Sequence, residues 1–303
     1  MTTWRSTGQG ATGVELADTD RSLVLTLACP DQPGIVLEVA RFLADHGYSI
    51  LESQQFRDAR TSRFFMRVQF EPVQEGAPDV QALRQAFAGV GGRLLMTWQL
   101  TRAADRARVL IMVSREGHCL NDLLYRSSIR DLHIEVAGVV SNHPDLAVLA
   151  DNYEVPFHHV PVTPETRSVA ERRVLELVDE LDIDLVVLAR YMQILSDEMC
   201  RKLDGRAINI HHSMLPSFKG ARPYHQAYER GVKLVGATAH YVTADLDEGP
   251  IIEQEVARID HSMSAAQVTA LGRHNECLAL ARAVGLHAEH RVLLDGARTI
   301  VFR

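Results

Sequence analysis

The sequence contains little cysteine, with four residues in 303. They are too far apart to form a Cys-x-x-Cys motif, which excludes the usual zinc-binding and thiol-redox patterns. We therefore expect free thiols, as is typical of proteins from reducing compartments. The four are Cys29, Cys119, Cys200 and Cys277.

The sequence also has no long hydrophobic run. None of its apolar stretches approaches the roughly 20 residues of a membrane-spanning helix. Residues 1–21 are polar and rich in Gly and Thr, without the apolar core of a signal peptide, so we expect a flexible tail there. These absences predict a cytoplasmic protein with no membrane partner.

The sequence also has fewer positively charged than negatively charged residues. Lys and Arg number 32 against 39 Asp and Glu, and no basic run is visible, which argues against nucleic-acid binding. A composition with 46% hydrophobic and 23% charged residues is that of a globular protein with sizeable cores. At 303 residues, one or two domains are expected.

Residues 22–104 predict a first domain of the ferredoxin-like order β-α-β-β-α-β. Alternating leucines from Ser22 to Cys29 indicate a strand, and a helix with buried positions at helical spacing follows a Pro/Gly turn. A second helix begins near Val80, and we expect Gly91-Gly92 to end it. The fold class is therefore α/β.

Residues 105–303 alternate apolar strands with helices, which predicts a Rossmann-like, mostly parallel sheet. The stretches 108–113 and 184–188 are continuous apolar runs, as in strands buried on both faces. A helix over 164–181 is expected to bury Val169, Val174, Leu177 and Val178. Ligands bind such sheets at the carboxyl ends of the strands, here after 113, 188 and 210.

The most informative stretch is 207–225, in which a short apolar strand leads into a loop rich in Pro, Gly and Ser. Strand alternation places Asn209 and His211 on one side and His212 on the other. Asp247 follows a second strand. An amide, an imidazole and a carboxylate brought together at strand ends can form an acid/base site. Taken one by one, the same residues equally suit a helix cap, a core histidine and a turn.

The pattern Asn209-x-His211, Leu215-Pro216 and Asp247-x-Gly249-Pro250 resembles the folate-dependent formyltransferase family. The longer sequence from His211 to Ala227 resembles that of the formyltetrahydrofolate deformylases, the hydrolytic branch of this family. The resemblance runs from about Ser22 to the C-terminus. It implies hydrolysis of 10-formyltetrahydrofolate to formate and tetrahydrofolate, in support of one-carbon folate pools and purine biosynthesis.

The resemblance also implies site residues. The loop after 188 would hold the pteridine ring with apolar side chains and main-chain hydrogen bonds, and Gln193 stands where many relatives have Arg. The residues expected to bind folate are Arg190, Tyr191, Met192, Gln193, Ile194, Leu195, His212 and Gly249. Lys219 and Arg222 either hold the glutamate tail or are simply solvated, and His225 and His240 either support the site or have a structural role.

Amide hydrolysis passes through an oxyanion, and hydrogen-bond donors aimed at that oxygen lower the barrier. Asn209 and His211 are the candidate donors, and Asp247 would orient His211 or take a proton from the attacking water. Adjacent His211 and His212 diverge on a strand and have no third ligand at a suitable spacing, so we expect no metal. No cofactor is expected besides the folate substrate.

Two other functions stay open. One is formyl transfer to an amine, although Glu116 argues against a phosphate cradle after 113, and His212 stands where transferases commonly carry Pro. The other is an impaired folate-binding protein, because Gly272-Arg-His-Asn-Glu276 replaces the Gly-Arg-Asp-Val-Glu common in deformylases.

In the first domain, Asp31-x-Pro-Gly-Ile35 at the start of a helix resembles the ACT domain, which binds small effectors and often pairs. The resemblance implies a homo-oligomer and an amino-acid effector. An allosteric sensor and a dimerisation domain without a ligand remain alternatives, because such a turn is also ordinary turn chemistry. The effector residues would be Asp31, Gln32, Pro33, Gly34 and Ile35.

Overall fold

A computed structural model describes residues 21–215 and 223–303. The chain divides into two compact units, with the division between Asp105 and Arg106. The tail expected at 1–21 lies outside the described residues except for Arg21. In the described part of the chain, no helix is long and apolar enough to cross a bilayer.

The first unit is a four-stranded antiparallel sheet with two helices, in the strand order β2-β3-β1-β4. This confirms the predicted ferredoxin-like arrangement. The elements are β1 (Leu23–Pro30), α1 (Ile35–Asp45), β2 (Tyr48–Asp58), β3 (Arg63–Pro72), α2 (Val80–Arg93) and β4 (Thr97–Arg102).

Local chemistry sets the ends of both helices in this unit. Gly34 has φ 94° at the start of α1, a conformation that glycine adopts without strain. Asp79 caps α2 by accepting a hydrogen bond from the Ala82 amide at 3.0 Å. The expected stop at Gly91-Gly92 is wrong, since α2 continues to Arg93. Gly91 is there for packing, because a Cβ on it would lie 2.4 Å from the Trp98 ring.

The second unit alternates strands and helices. Its first half contains β5 (Ala107–Val113), α3 (His118–Ser128), β6 (Ile134–Ser141), α4 (Ala147–Asp151), β7 (Phe157–His159), α5 (Arg167–Glu180) and β8 (Leu185–Leu188). Its second half contains α6 (Asp197–Lys202), β9 (Ala207–His211), α7 (Pro223–Glu229), β10 (Leu234–Tyr241), β11 (Ile251–Arg258), α8 (Ala265–Ala288), β12 (Val292–Asp295) and β13 (Arg298–Val301).

Seven strands of this unit form one sheet in the order β11-β10-β9-β8-β5-β6-β7. The five strands from β9 to β7 are parallel, and β10 runs antiparallel to both β9 and β11. The mostly parallel, Rossmann-like sheet is thus confirmed. Strands β12 and β13 form a separate hairpin.

The central strand β5 is buried on both faces, as its continuous apolar sequence predicts. Val109 and Ile111 belong to one core together with residues of α3 and α8, whereas Leu110 and Met112 belong to a second core with residues of α5 and α6. One prediction for α5 is wrong: Val169 is 59% exposed, and the neighbouring Ala170 is buried instead.

Candidate active site

The cavity at the carboxyl ends of β8 and β9 has a volume of about 330 Å³. Because these parallel strands are neighbours in the sheet, the segments that follow them meet at one edge. Asn209, His211 and Asp247 all line this cavity. The three polar residues that the sequence singled out therefore lie together.

His211 and Asp247 are in direct contact. The distance from His211 Nδ1 to Asp247 Oδ1 is 3.2 Å, and the two side chains are only 7% and 17% exposed. The hydrogen bond from His211 holds the pKa of Asp247 below its ordinary value, despite the opposing effect of burial. His211 Nε2 is buried and has no hydrogen-bond partner among the described residues, so this atom is available to a ligand.

Asn209 is held by His240, a residue whose role the sequence left open. His240 Nδ1 lies 2.9 Å from the Tyr241 carbonyl oxygen, which can only accept, so this nitrogen carries the ring proton. His240 Nε2 then accepts a hydrogen bond from Asn209 Nδ2 at 3.3 Å. Burial lowers the pKa of His240, which favours this neutral ring. Asn209 keeps a second N–H for another acceptor.

His212 does not point away from His211, as strand alternation predicted. The two rings stack at 5.1 Å with an interplanar angle of 22°. The reason is that β9 ends at His211, so the alternation no longer applies to His212. Burial, together with the charge of Arg190, lowers the pKa of His212 to about 4. Its side chain lines the cavity as a neutral ring.

The loop after β8 lines the same cavity with all six of its predicted residues, 190–195. Met192 and Ile194 are 57% and 60% exposed, so they offer apolar surface to a ligand. Ser114 fixes the loop, because its Oγ accepts from the Met192 amide at 2.9 Å and donates to Asn142 Oδ1 at 2.7 Å.

Gly249 is placed differently from the other predicted folate-binding residues. It does not belong to the cavity lining formed by the described residues. A Cβ on Gly249 would lie 1.7 Å from the Tyr241 carbonyl oxygen, so glycine is needed for packing against β10. Of the remaining candidates, His225 is exposed, and Lys219 and Arg222 lie outside the described residues.

Thr238 anchors the segment that follows His211. This fully buried residue donates to the Ser213 carbonyl oxygen at 2.9 Å and accepts from the Leu215 amide at 3.1 Å. Gln254 on β11 donates a third hydrogen bond to the Thr238 hydroxyl at 3.0 Å. The site therefore depends on two antiparallel strands as well as on the parallel ones.

A buried carboxylate beside the cavity was missed as a functional group in the sequence. Glu276 is 1% exposed and accepts from His118 Nε2 at 2.8 Å and from the Tyr224 hydroxyl at 2.7 Å. Arg190 Nε lies 3.4 Å from the same carboxylate. Spacing could have pointed to it, since Gly272 and Glu276 are one helical turn apart and Gly272 leaves room for the Tyr224 ring.

His118, Cys119 and Glu276 are the one group of potential metal ligands found among the described residues, with ligand atoms within 4.8 Å of one another. The chemistry of the group fits a cation poorly. Glu276 already accepts from His118 and Tyr224 and lies beside the cationic Arg190. A hydrogen bond with Cys277 and burial raise the pKa of Cys119 well above its usual value, which favours the protonated thiol.

In the first unit, the predicted effector residues surround the start of α1. Arg57 on β2 donates to Asp31 at 2.5 Å, and the two side chains are 60% and 23% exposed. Gln32, Pro33 and Gly34 are exposed. Ile35 is 2% exposed and packs in the core, so its side chain is not available to a ligand.

Family models match both units. Residues 23–85 match the ACT domain, and residues 107–284 match the formyl transferase domain. Fold and site thus define an ACT domain followed by a formyltransferase-type domain. Relatives described as formyltetrahydrofolate deformylase match nearly the whole chain, and we conclude that the chain belongs to the formyltetrahydrofolate deformylase family.

The relative from Corynebacterium sp. (strain P-1) is 52% identical over 92% of this chain and 98% of its own length. The relative from Bacillus subtilis is 47% identical over 92% of this chain and 93% of its own length. A crystal structure of a formyltetrahydrofolate deformylase from Burkholderia mallei matches with a TM-score of 0.89 and 49% identity over 93% of this chain and all of that one. A glycinamide ribonucleotide transformylase from Symbiobacterium toebii matches with a TM-score of 0.61 and 30% identity over 65% of this chain and 95% of its own.

Proposed function

We propose that this protein hydrolyses 10-formyltetrahydrofolate to formate and tetrahydrofolate. The observation that carries the proposal is the contact between His211 and Asp247 at 3.2 Å beside Asn209, in a cavity whose other wall is apolar. The names of the relatives support the same substrate. A folate ring would lie against Met192 and Ile194, and its formyl group would reach the three polar residues.

In this mechanism, water attacks the formyl carbon while His211 Nε2 takes its proton. Asp247 holds the Nδ1 proton of the ring and stabilises the imidazolium that forms, because an anionic partner favours the charged ring. The negative charge that develops on the formyl oxygen is met by the free N–H of Asn209. Such a donor contributes about 3–4 kcal/mol to lowering the barrier.

The tetrahedral intermediate then collapses. The imidazolium of His211 returns its proton to N10 as the bond between carbon and N10 breaks, so that tetrahydrofolate leaves as a neutral amine and formic acid loses its proton to solvent. His240 keeps Asn209 in place throughout by accepting its other N–H. This sequence of steps is driven by protein side chains and requires neither a metal nor a cofactor.

Formyl transfer to an amine is the second candidate, favoured by the similarity to a glycinamide ribonucleotide transformylase. The experiment that separates the two is a formate-release assay with purified protein and 10-formyltetrahydrofolate, run with and without an amine acceptor. Hydrolysis predicts formate in the absence of amine. Consumption of 10-formyltetrahydrofolate only when the amine is added, with formylated amine as the product, or no turnover at all, would contradict the proposal.

The first unit is proposed to bind a small effector, with an amino acid as the chemical class. The polar groups that support this are Asp31 and Arg57, which could bind the ammonium and carboxylate of such a ligand. Calorimetric titration with each common amino acid tests the idea. Absence of binding at millimolar concentration would leave this unit a role in assembly, for which light scattering gives the number of subunits.

A further inference from the structure

The residues around Glu276 form a polar cluster, and one of them, Arg190, lines the cavity. Its members come from four separate parts of the chain: His118 begins α3, Tyr224 is on α7, Glu276 is on α8, and Arg190 follows β8. Glu276 accepts hydrogen bonds from Tyr224 at 2.7 Å and from His118 at 2.8 Å, and Arg190 Nε lies 3.4 Å from its carboxylate as an ion-pair partner. Such a buried network, with most of its groups satisfied, holds its shape firmly.

Arg190 is the member of this cluster that reaches the cavity. It lines the cavity together with His211 and His212. Its side chain is 15% exposed, and its Nε and Nη1 atoms are buried without a hydrogen-bond partner among the described residues. The neutral His212 ring stacks on His211 at 5.1 Å and lies 6.5 Å from the Tyr224 ring, and the charge of Arg190 contributes to the lowered pKa of His212.

The charges that line the cavity bear on which of two nucleophiles takes the formyl group. Arg190 and Asp247 are the charged residues of the described lining, and Asp247 is engaged by His211. An amine is mostly an ammonium ion near neutral pH, and the guanidinium of Arg190 repels it and offers it only N–H donors. Water carries no charge and is small enough to fit beside the neutral His212 ring.

We propose that Arg190, held in position by Glu276, makes the site select water over amines as the acceptor of the formyl group. The inference rests on the proposed hydrolysis, and it names the residue that keeps amines from taking the formyl group. Arg190 is then a specificity-determining residue, and Glu276 is a positioning residue that acts through it.

The test measures the ratio of formylated amine to formate when 10-formyltetrahydrofolate reacts with a large excess of glycinamide. Arg190 has φ 66°, so Arg190→Gly suits the backbone while it removes the charge and opens space. We expect this variant to raise the ratio at least about tenfold over the parent protein, equivalent to about 1.4 kcal/mol of discrimination. Because the readout is a ratio of two products, a change in overall rate does not affect it.

Arg190→Lys is the matched control, since it keeps the positive charge and most of the volume. Its ratio should stay within about twofold of the parent value, because an ammonium on Lys still repels a charged amine. Arg190→Asn, which also tolerates a positive φ, repeats the test if circular dichroism shows the Gly variant to be unfolded. A partial rise in the ratio for Glu276→Gln would support the positioning role.

The outcomes separate this inference from the proposed function. If the parent releases no formate without amine, the proposed hydrolysis is wrong, whatever the variants do. If the parent releases formate and neither Arg190→Gly nor Arg190→Asn forms more formylated glycinamide than Arg190→Lys, the selection by Arg190 is wrong and hydrolysis stands. A parent that already formylates glycinamide as readily as it forms formate also overturns the selection.

Discussion

Each unit of the molecule contains a close contact between an aspartate and a basic side chain, and the two contacts differ in burial. In the first unit, Asp31 and Arg57 are 23% and 60% exposed. In the second, Asp247 and His211 are 17% and 7% exposed. Water screens the first pair, so it contributes about 0–1 kcal/mol. The second pair lowers the pKa of Asp247, because its two groups are largely buried and interact with each other more than with water.

The difference extends to the sheets themselves. Strand β2 of the first unit is largely exposed along its length, whereas β8 of the second unit is buried at every position. A half-exposed antiparallel sheet offers surface for binding and assembly. A parallel sheet covered on both faces offers an edge at which a few polar groups are removed from solvent, which is the setting that acid/base chemistry requires.

The largest effect should come from changing the buried aspartate. Asp247→Asn keeps the shape of the side chain but removes the anion that orients His211 and stabilises its protonated form. We expect turnover to fall by about 10³-fold or more, by analogy with other His–Asp pairs. Steady-state formate release measures this effect.

Asp45→Asn, an exposed position at the end of α1, is the matched control in the first unit. Its turnover should equal that of the parent protein. Folate binding by fluorescence should survive in Asp247→Asn, which separates a chemical defect from a loss of the pocket. A rate for Asp247→Asn within tenfold of the parent would remove Asp247 from the mechanism.

Acid should destabilise the second unit more than the first. Burial lowers the pKa of His212 and of His287 to about 4, and that of His240 in the same direction. Between about pH 6.5 and 4 the unfolded chain binds protons that the folded unit does not, so stability falls as the pH falls through this range. At about 1.4 kcal/mol per pKa unit, His212 and His287 each contribute a loss of about 3 kcal/mol.

Calorimetric unfolding across this pH range checks the prediction. His287→Gln removes one of the three titrations and should flatten the dependence. Equal stability of the second unit at pH 4.5 and 6.5, in buffers of equal ionic strength, would contradict the prediction. Both pH values lie in the range of about 4 to 6.5 over which the His212 effect is expected.

Thr238→Val should have a smaller effect that still reaches the site. The change is nearly isosteric, but it leaves the Leu215 amide and the Ser213 carbonyl oxygen without their partner. We expect a loss of about 1–3 kcal/mol in the free energy of unfolding and a lower kcat. Thr269→Val on α8 is the control, since its hydroxyl only bonds back to Ala265, and it should cost less than about 0.5 kcal/mol. Equal effects of the two changes in urea unfolding would show that the Thr238 contacts are not important.

Breaking the exposed pair should matter least for stability. Arg57→Gln is expected to cost no more than about 1 kcal/mol in the unfolding of the first unit. The same change should weaken binding of any amino acid found by the calorimetric screen, because it removes the proposed carboxylate partner. An unchanged affinity would place the effector elsewhere.

The sequence predicted both folds because apolar periodicity and turn residues indicate the same helices and strands at many positions. It also predicted Asn209, His211 and Asp247 as one group. Asn209 and His211 share strand β9, whereas Asp247 reaches His211 from the loop between the antiparallel strands β10 and β11, a contact that strand ends alone do not predict. Contacts between distant helices are not encoded in local patterns. The Glu276 network joins residues as far apart in sequence as His118 and Glu276, and only packing of α3 against α8 brings them together.

Smaller errors have equally physical causes. Strand alternation failed for His212 because the strand ends one residue earlier. The double glycine at 91–92 was predicted to end the helix, whereas the helix continues to Arg93 and Gly91 makes room for the Trp98 ring. Gly249 packs against the Tyr241 carbonyl oxygen, and its contact with folate stays a prediction. At both glycines the constraint comes from a residue several positions away, which local patterns do not show.

The pairing of β9 with β10 places His240 directly opposite Asn209 and Thr238 opposite His211. One alignment of antiparallel strands thus places His240 against the residue that it holds and Thr238 beside the segment that it anchors after His211. Sliding one strand by a residue would turn each of these side chains to the opposite face of the sheet. Insertions or deletions within 207–211 or 238–241 should therefore be far more damaging than most point substitutions, and the length of these two strands is what any redesign of the enzyme must leave untouched.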